Sequence, residues 1–172
     1  MQNRTQYVWG PPVLTFTCPG QPIGQGQIRH LGKGRPAVHA NGKRLKPWRQ
    51  AIAQAATQAI AQHPTPGMFP LDLALATLLV FTMPWSRAAA KEGRLYPTVN
   101  SILNSDLDHL ERAVYDAMKG VAIVDDSLVV DSRHPKTYPR GTSPQAHPLA
   151  LPEPGVTIRL YLLPIGETPC PA

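Results

Sequence analysis

The chain has no acidic residue before Asp72. The same stretch holds eight basic ones: Arg4, Arg29, Lys33, Arg35, Lys43, Arg44, Lys46 and Arg49. Seven of the eleven acids fall instead between Asp106 and Asp131. A carboxylate-free half suits a phosphate backbone, because each Lys or Arg that neutralises a phosphate releases condensed counterions. An acidic cluster in a chain of net charge +6 would repel that backbone unless cations sit in it. A basic surface kept for solubility accounts for the net charge but not for the segregation.

Cysteine is scarce as well. Cys18 and Cys170 stand near opposite ends, where a disulfide framework or a zinc site would need more thiols or closely spaced histidines. Free thiols in a reducing compartment are expected. His30, His39, His63, His134 and His147 show no ligand spacing. The longest apolar run, Leu73 to Phe81, is broken by Thr77 and is far short of the roughly 20 residues that span a bilayer. Met1 to Gly10 has one basic residue and no apolar core, so no signal peptide is expected and a cytoplasmic protein is. Gly24, Gly26, Gly32 and Gly34 do not form a GxxxxGK[ST] loop, which excludes a nucleoside triphosphatase of that type.

What is present reads as one domain over residues 1–172, with a core from about 13 to 163 and flexible ends. Val13 to Thr17 is a short strand candidate ended by Cys18-Pro19-Gly20, and Gln21 to Arg35 is a Gly-rich basic loop or hairpin. Asn41-Gly42 is a turn signal, and Pro47 opens a helix that runs from Trp48 to His63. Leu71 to Met83 hardly alternates, as befits a central strand. Pro84 to Asn104 is a long connection with Arg87, Lys91 and Arg94. A second helix spans about Leu107 to Lys119, stopped by Gly120, with an apolar stripe of Leu107, Leu110, Val114, Ala117 and Met118. Two short apolar runs flank Asp125-Asp126, a Pro-rich loop covers Ser132 to Pro154, and Val156 to Leu163 alternates as a last strand. The order argues for an α/β or α+β fold, a mixed sheet with two main helices packed on it.

The chemistry concentrates in Asp106-Leu107-Asp108-His109-Leu110-Glu111-Arg112. Carboxylates at i and i+2 sit about 200° apart on a helix, so Asp106 and Asp108 converge only where an extended chain enters it. The positive end of a helix favours them there. Capping is the competing explanation, since Ser105 with Asp108, and Asp108 with Glu111, fit a capping box. Asp125-Asp126 by itself reads equally as a turn, and Asp131 as an exposed edge residue.

Taken together, Asp-x-Asp at a helix start, a basic residue one turn on, Asp116-Ala117, and then Asp125-Asp126-Ser127-Leu128-Val129 resemble the RusA-type Holliday-junction resolvases. Lys136 with Tyr138 after the strand is similar too, and Leu45-Lys46-Pro47-Trp48 fits more loosely. The resemblance implies a RusA-like fold and a magnesium-dependent endonuclease, with Mn2+ as a substitute. It implies a homodimer that resolves four-way DNA by paired symmetric nicks in recombination and repair. It makes Asp106, Asp108 and Asp126 the metal-binding catalytic acids, with Asp125 a rival for the third place. Arg112 stands where the family has a functional lysine, and keeps its charge in a planar fork. His109 replaces the usual Asn, and Ser105 a frequent Pro. Arg29, Lys33, Arg35, Lys43, Arg44, Lys46, Arg87, Lys91, Arg94 and Lys136 are the expected phosphate contacts. Trp48, Trp85 and Tyr96 are candidates to stack on an unpaired base, although aromatics are more often packing residues. Two other readings stay open: an inactive branched-DNA-binding protein of the same fold, and a metal-dependent nuclease acting on flaps or RNA.

Overall fold

A computed structural model describes residues 9–26, 42–98 and 106–164, together with the backbone of 28–29 and 38–39. Lys33, Arg35, Ser105 and Cys170 lie outside the described residues, as does the side chain of Arg29.

The fold is α+β: a mixed five-stranded sheet and three helices. Strand β1 (Leu14–Pro19) alternates strictly, burying Leu14, Phe16 and Cys18. It pairs antiparallel with β7 (Gly155–Leu162). Strand β4 (Leu75–Thr82) pairs antiparallel with β7 on one side. On its other side it pairs parallel with β5 (Val129–Arg133) and then β6 (Lys136–Thr137). Strands β2 (Ile28–Arg29) and β3 (Val38–His39) form a separate two-stranded ribbon. The central place of β4 follows from its near-continuous apolar run, since a strand covered on both faces need not alternate. All its residues but Leu78 are buried. It is shorter than the expected Leu71–Met83, because Asp72, Leu73 and Ala74 are exposed ahead of it.

Helix α1 spans Gly42–Ala61, so it starts a turn earlier than expected and carries Pro47 inside it. Proline there forfeits one backbone hydrogen bond. Burial compensates: Leu45 is buried along with Trp48, Ile52 and Ala56, which continue the same stripe. Strand β1 likewise runs through Cys18 and Pro19, where a break was expected, because Pro19 lies at its end. The long connection after β4 contains a short helix, α2 (Arg87–Lys91), capped by Ser86 Oγ accepting from the Ala89 N–H at 3.1 Å. The expected loop from Ser132 contributes the end of β5 and all of β6.

Helix α3 (Leu107–Met118) matches its sequence stripe closely. Leu110, Val114, Ala117 and Met118 are buried, while Leu107 is half-buried. Gly120 ends it with φ +73°, a conformation only glycine adopts freely. The core lies between the sheet and the α1–α3 pair. Arg49 of α1 forms an ion pair with Asp116 of α3 and ties the two helices.

Candidate metal centre

Asp106 is the residue on which α3 starts. Its backbone is extended (φ −63°, ψ 153°), and its carbonyl accepts the first helical bond, from the Leu110 N–H at 3.1 Å. Its side chain makes no capping hydrogen bond. An N-cap aspartate normally uses its carboxylate to satisfy the N–H groups of the first turn. Here the residue is exposed, and its carboxylate leaves those N–H groups uncapped. Asp108, also exposed, follows in the first turn. The change from extended to helical backbone between them brings the two side chains to one side, as the i, i+2 spacing required.

His109 joins them. Asp106, Asp108 and His109 each offer one ligand atom, and these atoms all lie within 4.8 Å of one another. His109 Nε2 is 3.8 Å from Asp108 Oδ2. The group sits at the positive end of the helix, which attracts carboxylates and opposes a cation. A divalent ion there depends on the carboxylate charges. Two carboxylate oxygens match the hard oxygen donors that magnesium takes, and an added imidazole nitrogen also suits manganese. Arg112 is exposed one turn beyond Asp108, on the same face of the helix.

Asp125 and Asp126 are placed differently. Asp125 accepts from the Ser127 N–H at 3.0 Å and so caps the short turn Asp126–Leu128. Lys119, just past the C-terminal end of α3, contacts Asp125 and lies 3.7 Å from Asp126 Oδ1. Lys119 and then the Ser127 amide hold the Asp125 carboxyl well below the usual carboxylate range. Asp126 is exposed and is not a member of the 4.8 Å group. Asp131 lies on the edge strand β5, as expected, but is not exposed. It is half-buried and accepts from the Trp9 indole N–H at 2.9 Å.

The model of the family described as endodeoxyribonuclease RusA matches residues 19–145. The chain belongs to the RusA family. Comparison with curated proteins gives no match. Membership makes the chain a nuclease by class and associates it with Holliday junctions and DNA recombination. Among the described residues no helix is long and apolar enough to cross a membrane.

Of the expected RusA-type phosphate contacts, Lys43, Arg44 and Lys46 are exposed in the first turns of α1. Arg87 and Lys91 are exposed on α2, while Arg94 pairs with Glu92. Lys136 is half-buried on β6. Trp48 is 5% exposed and is a core residue rather than a stacking platform. Trp85 packs edge-on against Tyr138, with centroids 4.4 Å apart, and Tyr96 stays exposed.

Sequence reasoning missed two features. One is Lys119, the cation beside the second acidic pair. The other is a polar cluster behind α3. The Tyr115 hydroxyl lies 2.7 Å from Thr77 Oγ1 and donates to Glu111 Oε1 at 2.8 Å. Ser132 contacts the same Glu111 oxygen, and His134 Nδ1 is 3.3 Å from it. Burial pushes the Tyr115 hydroxyl well above the usual tyrosine range, so it stays protonated as a donor. The i, i+4 spacing of Glu111 and Tyr115 was the available signal; the contribution of β4 and β5 had none.

Proposed function

We propose that this chain is a magnesium-dependent, structure-specific endodeoxyribonuclease that resolves four-way DNA junctions by paired symmetric nicks. One observation carries the reading: the Asp106 carboxylate is released from capping and converges with Asp108 and His109 at the start of α3. In this reading Asp106, Asp108 and Asp126 are the metal acids, with Mn2+ able to replace Mg2+. A bound divalent ion would polarise the scissile phosphate and lower the pKa of an attacking water. Arg112 donates hydrogen bonds to the phosphate oxygens as charge develops on them. Asp125 orients Asp126 through the turn it caps, and Lys119 holds that turn until a cation competes for the carboxylates.

A twofold homodimer supplies two such sites in the symmetry that paired nicks require. Lys43, Arg44, Lys46, Arg87, Lys91, Arg94 and Lys136, with Arg29, Lys33 and Arg35, bind the phosphate backbone. The whole chain acts as one nuclease domain in the cytoplasm, cellular or phage-borne.

The test compares a synthetic four-way junction, a linear duplex and single-stranded RNA in magnesium, for wild type and Asp108→Asn. Symmetric nicking of the junction alone, abolished in the variant, is the expected result. Binding without cutting in either Mg2+ or Mn2+ would sink the enzyme reading. Equal cutting of all three substrates would leave a metal nuclease that is not a resolvase.

A further inference from the structure

The polar cluster behind α3 ends on His134, in the connection between β5 and β6. Three partners converge there on one carboxylate oxygen. Glu111 Oε1 accepts from the Tyr115 hydroxyl at 2.8 Å and from Ser132 Oγ, and His134 Nδ1 lies 3.3 Å from it. Hydrogen counting assigns the ring tautomer. A hydroxyl carries one hydrogen, and a carboxylate is the stronger acceptor for it. Ser132 gives its hydrogen to Glu111, so it meets His134 Nδ1, 3.2 Å away, only as an acceptor. Both neighbours of Nδ1 therefore accept. Nδ1 carries the hydrogen, and the lone pair of the neutral ring is left on Nε2. Ser132 and Glu111 share one ring nitrogen, which excludes a serine nucleophile, because that arrangement sets serine and acid on opposite nitrogens.

The His134 side chain is 28% exposed and that of Glu111 19%, so the carboxylate is the inner member of the pair and the imidazole the outer one. Glu111 stands three residues after Asp108 on α3. That spacing puts both side chains on one face of the helix, about 5–6 Å apart at Cβ. The pair therefore borders the acid group. A water attacking phosphorus beside that group must lose a proton. Arg112 can only donate, and the carboxylates of Asp106 and Asp108 are committed to the cation. An imidazole whose second nitrogen is held by a carboxylate is the form in which histidine accepts a proton from an attacking nucleophile.

We propose that His134 is the general base of the nuclease and Glu111 its positioning residue. The inference rests on the junction-nuclease reading for the identity of the reaction. Nε2 takes a proton from the attacking water while the water oxygen bonds to phosphorus. The bridging P–O bond breaks, its electron pair stays on the leaving sugar oxygen, and that oxygen takes a proton from bulk water. The imidazolium is stabilised by the Glu111 carboxylate and then returns its proton to bulk water.

The test measures single-turnover nicking of a four-way junction in magnesium by the full chain, by His134→Ala and by His134→Gly, with junction affinity measured alongside. His134→Ala is expected to slow nicking by about 100-fold at unchanged affinity. Added imidazole should restore much of the rate to His134→Gly. The second readout is the nitrogen NMR of the His134 ring. Wild type should show hydrogen on Nδ1 and a bare Nε2. In Glu111→Ala the Ser132 hydroxyl is released to donate to Nδ1, so the ring should move toward the Nε2–H form. Circular dichroism checks that each variant is folded. Wild-type nicking by His134→Ala, a loss in His134→Gly that imidazole leaves untouched, or an Nε2–H ring in the wild type would each overturn the proposal. A wild type that cuts neither junction, duplex nor RNA removes the nuclease reading and the base with it; a cutting wild type matched by His134→Ala removes the base alone.

Discussion

Asp106 shows how one residue can be freed for chemistry. A capping carboxylate is worth about 1 kcal/mol to a helix, but this one makes no cap bond. Asp106→Asn is therefore expected to leave stability within roughly 0.5 kcal/mol of wild type. The same variant should weaken Mn2+ binding by at least about tenfold, read by calorimetry or by the electron paramagnetic resonance of free Mn2+. A large loss of stability with unchanged metal affinity would return Asp106 to the role of a cap. Cys18 is the opposite kind of residue, silent because it is buried. The residue is 2% exposed, and burial pushes the thiol pKa up to about 11. The neutral thiol is thus favoured by the fold. The stability this gives is fully present below the unfolded value, roughly pH 8.5. It is lost as pH rises through about 11. Alkylation mapped to Cys18 at pH 8 should be slow in the native protein and ordinary in urea; fast native labelling would contradict this burial.

At the scale of the element, α3 matters most, with the acid group at its start and Lys119 just past its end. Lys119 depresses the Asp125 carboxyl, so that interaction contributes above roughly pH 4 and fades as pH falls below it. In Lys119→Ala the Asp125 carboxyl should return toward its ordinary value, an upward shift visible by NMR titration. No movement would show that Ser127 alone governs it. The β1–β7 pair provides a second test. A Cβ on Gly155 would stand 2.6 Å from the Cys18 carbonyl oxygen and from Leu151 Cδ1. Gly155→Ala should cost about 1–3 kcal/mol in chemical denaturation, since backbone cannot yield as a flexible side chain does.

The segregated charge belongs to the whole molecule. Cations on α1 and α2 and acids at the start of α3 form separate features of one surface chemistry. Junction affinity should fall steeply with salt, and K43A/R44A should lower the slope of log K against log salt by about 2. An unchanged slope would remove these residues from the phosphate contacts.

Local features were written along the chain. The stripe of α3, the unbroken apolar run of β4 and the glycine stop at Gly120 were all legible, because periodicity and backbone chirality act over a few residues. The acid pair was legible too, since i, i+2 spacing at a helix start leaves a single way to converge. Other outcomes depended on residues far apart in the chain. That α1 begins before Pro47 depends on packing at a distance, because Leu45 gains a place in the core. Long-range packing also makes Trp48 core rather than platform, gives Asp131 to Trp9, and groups His109 rather than Asp126 with Asp106 and Asp108 within 4.8 Å. Burial and charge pairing are set by what the fold brings near, and spacing along the chain does not encode that.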